Sequence, residues 1–112
     1  MPLIIALLKT LTLKKLIVLL SGQWHYLLER HLRLVRTSKY TAFITIEASN
    51  RCMLQCPECA TGSGELTRTK GDLTFERYQK IIDEVYPYIT VLNLYMQGEP
   101  YINKSLGKMI AY

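Results

Sequence analysis

Cys52-Met53-Leu54-Gln55-Cys56-Pro57-Glu58-Cys59 confines every cysteine of the chain to one loop of eight residues, spaced C-x3-C-x2-C. Three thiols this close together are hard to explain by packing and easy to explain by a metal. A disulfide would leave one cysteine over, and the start of the chain carries no convincing secretion signal, so oxidised pairing is not expected. Zinc requires a fourth ligand. The two histidines, His25 and His31, stand upstream in a stretch that reads as helix, without the close spacing to the cysteines that zinc modules show. Both read as partly exposed helix residues. An iron–sulfur cluster that only passes electrons is usually closed by four cysteines. Three protein ligands on a four-iron cube leave one iron open, and an open metal position is where a substrate or cofactor can bind, as in catalytic zinc sites. The loop therefore reads as an open-site cluster. A non-catalytic iron–sulfur electron-transfer module or a zinc-binding module is the alternative.

The charge of the chain is unevenly placed. Residues 1–40 hold seven Lys or Arg against the single acid Glu29, whereas residues 41–112 hold seven basic and eight acidic residues. The basic character thus belongs to the first part of the chain, the cysteine region is close to neutral, and no nucleic-acid groove is expected. At 112 residues, 49% of them hydrophobic and 21% charged, the chain is at most one small globular domain.

Residues 1–40 read as a basic amphipathic helical arm. Leu3, Ile4, Leu7, Leu8 and Leu11 recur at helical spacing, and Leu16 to Leu20 form an apolar run that Ser21-Gly22 is expected to stop. Lys9, Lys14 and Lys15 divide this segment into pieces shorter than the ~20 apolar residues of a membrane span. A signal peptide is also disfavoured, because the run is short, begins late and lacks a small-residue cleavage site. From Gln23 a second segment places Trp24, Leu27, Leu28, Leu32 and Val35 on one side and Arg30, Arg33 and Arg36 on another, with Glu29 and Arg33 at ion-pair spacing. Packing on the domain, or on a partner region, is the favoured reading of these faces. Weak peripheral contact with an anionic membrane through residues 1–38 is the second.

The period changes at Thr41. Residues 42–48 are β-branched and aromatic enough for a strand that Ser49-Asn50-Arg51 ends. Pro57 argues against a regular helix through the cysteines. Thr61-Gly62-Ser63-Gly64 opens a polar stretch to Asp72 that reads as a mobile loop. Thr74 is a suitable N-cap for a helix to about Tyr86, with Phe75, Tyr78, Ile81, Ile82 and Val85 as its buried face and Pro87 at its end. A second strand is expected over 90–96, broken at Gln97-Gly98-Glu99-Pro100, and a further helix starts near Asn103 to Ser105. This order is one parallel βαβ unit and the beginning of the next. Ligands of such folds gather outside the carboxyl ends of the strands, where the cysteine loop and Gln97–Pro100 are both expected.

A strand leading into Cys52-x3-Cys56-x2-Cys59, then a helix, then a strand ending in Gly98-Glu99-Pro100, resembles the start of a radical S-adenosylmethionine (radical SAM) enzyme. Ile46-Glu47-Ala48-Ser49-Asn50-Arg51-Cys52 is similar to the entry to the cluster loop in members that often carry a C-terminal, SPASM-like domain with extra clusters. The resemblance covers residues 42–112. It implies an α/β fold, the start of a partial (β/α)6 TIM-like barrel, with residues 41–112 as the first part of the core domain behind the helical arm. It also implies that Cys52, Cys56 and Cys59 hold three irons of a [4Fe–4S] cluster, and that the fourth iron takes the amino and carboxylate groups of SAM. Gln97, Gly98 and Glu99 would receive the SAM ammonium. Reductive cleavage would yield a 5′-deoxyadenosyl radical that abstracts hydrogen from a small-molecule or peptide substrate. No catalytic residue beyond the cluster ligands is implied. A reductant such as flavodoxin or ferredoxin and a cytoplasmic location are expected. Two positions differ from the family's usual pattern: Glu58 stands where an aromatic residue commonly precedes the third cysteine, and Gln97 stands where a first glycine is usual. A barrel of this family has six βα units and this chain supplies fewer than two, so it is expected to be a fragment that does not turn over SAM alone.

Overall fold

The computed structural model describes residues 9–112. The elements are helix α1 (Leu13–Leu32), strand β1 (Phe43–Thr45), helix α2 (Phe75–Val85), strand β2 (Val91–Asn93), a 3-10 turn η1 (Pro100–Ile102) and helix α3 (Leu106–Ala111). The two strands pair with each other. Ala42 O accepts from Thr90 N (2.8 Å) and Val91 N (3.1 Å), and Ile46 N donates to Asn93 O (2.8 Å), so the register advances in the same direction on both strands and the pair is parallel. The chain forms two compact units: one ends at Ile44 and includes Glu84–Leu92, the other joins Thr45–Asp83 to Asn93–Tyr112.

In the first unit, α1 is continuous where a stop at Ser21-Gly22 is expected from sequence. The Ser21 hydroxyl donates back to Val18 O (2.9 Å), so the polar side chain is satisfied within the helix. Gly22 costs about 1 kcal/mol against alanine, too little to break a helix anchored on both sides. Thr12 Oγ1 accepts from Lys15 N (3.4 Å) at the start. At the end Arg33 adopts a left-handed backbone (φ 53°) and donates its N–H to Glu29 O (3.0 Å). That cap explains why the expected Glu29–Arg33 side-chain pair does not form: Arg33 lies beyond the last helical turn, off the i,i+4 row. Val18 and Lys15 are buried, the Lys15 ammonium standing 4.3 Å from the centre of the Tyr86 ring. Tyr40 stacks on Tyr88 with 3.8 Å between ring centres. The expected helical residues Leu3, Ile4, Leu7 and Leu8 lie outside the described residues.

In the second unit Ile46, Ala48, Tyr78, Ile82, Leu106 and Met109 are buried. The Thr74 hydroxyl accepts from Arg77 N (3.4 Å) at the start of α2, as its N-cap position in the sequence predicts. Of the expected apolar face of α2, Tyr78 and Ile82 are buried and Phe75, Ile81 and Val85 are half-buried. The Tyr78 hydroxyl donates to Met109 O (3.0 Å), which satisfies a buried polar group and ties α2 to α3. The polar stretch after the cysteines is not loose along its whole length. Ser49 and Asp72 form an antiparallel bridge, Asn50 N donates to Gly71 O (3.2 Å), and Leu73 N donates to Ala48 O (2.9 Å). These bonds fold residues 69–73 back along the segment that leads into the cysteine loop.

Candidate metal centre

Glu47 to Arg51 connect β1 to Cys52, and each side chain except Ala48 is engaged. Glu47 Oε1 accepts from the Arg68 guanidinium (2.6 Å) and from Gln97 N (3.2 Å). Ser49 Oγ donates to Asp72 Oδ1 (2.7 Å), and Arg51 forms a two-point ion pair with the same carboxylate. Burial opposes the charge of Asp72, but the Ser49 hydroxyl and the Arg51 guanidinium outweigh it and hold the carboxyl below its ordinary pKa. Asn50, which is buried, donates through Nδ2 to Thr69 O (2.8 Å) and accepts at Oδ1 from Gly71 N (2.6 Å).

The segment after β2 lies against this entry. Glu99 N donates to Arg51 O (2.8 Å). A Cβ on Gly98 would stand 2.0 Å from Ser49 O and 2.8 Å from Asn50 Cα, so only glycine permits the approach. The two strand-end loops are therefore side by side, as expected for loops at the carboxyl ends of paired parallel strands. Glu99 caps η1, its Oε1 accepting from Tyr101 N (3.1 Å). Buried Asn103 fixes the far side: Nδ2 donates to Ala48 O (2.8 Å) and Leu73 O (2.9 Å), and Oδ1 accepts from Ser105 N (2.8 Å).

All three cysteines are free thiols; Cys52 and Cys59 are half-buried and Cys56 is exposed. The loop is turned by Cys59 N donating to Cys56 O (3.1 Å) and Ser63 N donating to Cys59 O (2.8 Å). Gly62 packs on the Cys56 backbone so closely that a Cβ would meet Cys56 N at 2.6 Å. The amide N–H groups of Gly62 and then Thr61 favour the Cys59 thiolate and hold its pKa below that of an ordinary thiol. Leu54 N donates to Cys52 Sγ (3.4 Å). Among the described residues no three His, Cys, Asp or Glu side chains are gathered as a metal-binding group, so the three thiols share a loop but have not converged. Soft thiol donors, two of them receiving amide N–H groups, fit an iron–sulfur group by donor chemistry. Glu58 is exposed.

Sequence reasoning singled out the cysteines and Gln97–Glu99. It passed over Glu47, Asp72, Arg68 and Asn103, which hold those loops in place. Glu47 carried one available signal, an acid at the end of an otherwise apolar strand.

Comparison with known proteins gives two similar sequences. Over 87 residues (77% of this chain, 22% of the relative) it is 30% identical to a PqqA peptide cyclase of Bradyrhizobium diazoefficiens. Over 65 residues (58% of this chain, 17% of the relative) it is 35% identical to a PqqA peptide cyclase of Granulibacter bethesdensis. The chain spans about a fifth of the length of these relatives. No family model matches it. No solved structure matches it.

Proposed function

We propose that residues 41–112 are the opening βαβ portion of a radical SAM core domain, the start of a partial (β/α)6 barrel, in which Cys52, Cys56 and Cys59 hold a [4Fe–4S] cluster. The observation that carries this reading is the close backbone packing of Gly98 on Ser49-Asn50. It puts Gln97-Gly98-Glu99 beside the entry to the cysteine loop, so one small ligand can reach both. Similarity to two PqqA peptide cyclases supports the same reading and favours a peptide as the substrate class of the whole protein.

When bound, cluster and SAM would together supply a one-electron cleavage of a sulfonium carbon–sulfur bond and a radical able to take hydrogen from the substrate. The chain's own residues bind and orient. The Gly62 and Thr61 amides favour the thiolate of Cys59, the form needed for ligation. Arg51, Ser49 and Asn50 fasten the segment before Cys52 to residues 69–72, which limits how far the first cysteine can drift. Glu47 holds the Gln97 amide and Glu99 Oε1 caps Tyr101 N, and in this reading the backbone carbonyls of Gln97–Glu99 and the other Glu99 oxygen would receive the SAM ammonium. A flavodoxin- or ferredoxin-type protein is the reductant and the cytoplasm the compartment in this reading. It is tested by recording the EPR spectrum of the reduced, anaerobically reconstituted protein with and without SAM. A changed signal is expected from an iron with an open position; a cluster closed by four ligands would give an unchanged signal and favour an electron-transfer module.

A further inference from the structure

Helix α1 carries an apolar stripe that the first unit leaves uncovered. Leu13, Ile17, Leu20, Trp24 and Leu27 follow one another at alternating steps of four and three, and so share one side of the helix. Their exposures are 73%, 56%, 60%, 62% and 44%, respectively. The packed side, marked by Val18 (6%) and Lys15 (5%), is roughly opposite on a helix of ~3.6 residues per turn. One face of α1 is thus used for packing and the other presents five large side chains to the outside.

Charge decides what fits that face. Apart from the buried Lys15, the arm carries Lys9, Lys14, Arg30, Arg33, Arg36 and Lys39 against the single acid Glu29. Among the described residues the ion pairs join Arg51 to Asp72 and Arg68 to Glu47, and none uses a cation of the arm. Arg30 stands in the last turn of the helix, flanking the stripe, Arg33 is the helix cap and Arg36 follows three residues after it. A second copy of this chain would bring the same excess of positive charge to the contact and be repelled. No described helix is long and apolar enough to cross a membrane. We infer that α1 lies on an anionic lipid surface, its stripe among the acyl-chain boundary and its arginines among the headgroups. Trp24 is placed where an indole suits the boundary between apolar and wet regions. This inference is independent of the cluster reading.

The chain has one tryptophan, Trp24, which reports on the contact directly. The full chain is titrated with vesicles of phosphatidylcholine alone and with vesicles containing phosphatidylglycerol, following Trp24 emission and cosedimentation. A blue shift and cosedimentation are expected with the anionic vesicles only. Replacing Arg30, Arg33 and Arg36 by Gln together should weaken binding on the order of a hundredfold. Leu20→Glu, at an exposed position, should abolish it while leaving the helical circular dichroism unchanged. No response to anionic vesicles overturns the inference. So does an equal response to neutral vesicles, or a blue shift that appears without lipid as the chain is concentrated, which would mark a contact between copies.

Discussion

Gly98 lies so close to Ser49 that a Cβ on the glycine would stand 2.0 Å from the Ser49 carbonyl oxygen, which joins the segment after β2 to the segment that enters the cysteine loop. Neither side of this contact is a flexible side-chain tip, so the overlap can be relieved only by moving backbone. Gly98→Ala should destabilise the protein by about 1–3 kcal/mol, the usual cost of forcing extra volume into a closed site. Gly107→Ala is the control. Nothing lies within 4 Å of a Cβ at that helical position, and alanine there should be neutral or stabilising by up to about 1 kcal/mol. Urea unfolding followed by circular dichroism measures both.

Gly62 has the equivalent role inside the loop. A Cβ would meet Cys56 N at 2.6 Å and Cys56 O at 2.7 Å. Gly62→Ala should therefore displace the Cys56 backbone and lower iron uptake several-fold without removing a ligand. Iron bound per chain after anaerobic reconstitution checks this, with Gly64→Ala beside it: a Cβ at Gly64 meets nothing within 4 Å, so its effect comes only from its left-handed backbone (φ 82°).

Some of this arrangement was legible in the sequence and some was not, for physical reasons that differ by element. The α2 helix was readable because its cap, Thr74, and its apolar spacing lie within a dozen residues of each other. The continuity of α1 through Ser21-Gly22 was not, because the signals that stop a helix are weak beside anchoring at Thr12, Val18 and Arg33. The cysteines announced themselves by spacing. Glu47, Asp72 and Asn103 did not, since each works on partners more than twenty residues away in the chain, and no local pattern encodes such a bond.

The amides around Cys59 predict a pH-dependent reactivity. Because they favour the thiolate, the alkylation rate of Cys59 by iodoacetamide should reach half its maximum at a lower pH in the folded protein than in the unfolded chain. Unfolding in urea should move that midpoint up. Peptide mapping by mass spectrometry at a series of pH values follows Cys59 separately from Cys52 and Cys56.

Asp72 predicts the acid behaviour of the same region. Its folded pKa is depressed, so its contribution to stability is present above the ordinary carboxylate value of about 3.9 and is lost as pH falls through the folded value. Asp72→Asn should be less stable than the wild type near neutral pH by up to about 1 kcal/mol, as expected of a partly exposed ion pair. The difference should close as pH falls below 4, which thermal unfolding at a series of pH values would show.

The ligand set is tested most directly by counting iron and acid-labile sulfide in the anaerobically reconstituted protein, for the wild type and for Cys52→Ala, Cys56→Ala and Cys59→Ala. The account predicts about four of each per wild-type chain, with the thiolate-to-iron absorption of a cubic cluster, and loss of that cluster in each single variant. Uptake of zinc with no iron, or a full cluster that survives removal of any one of the three cysteines, would contradict it.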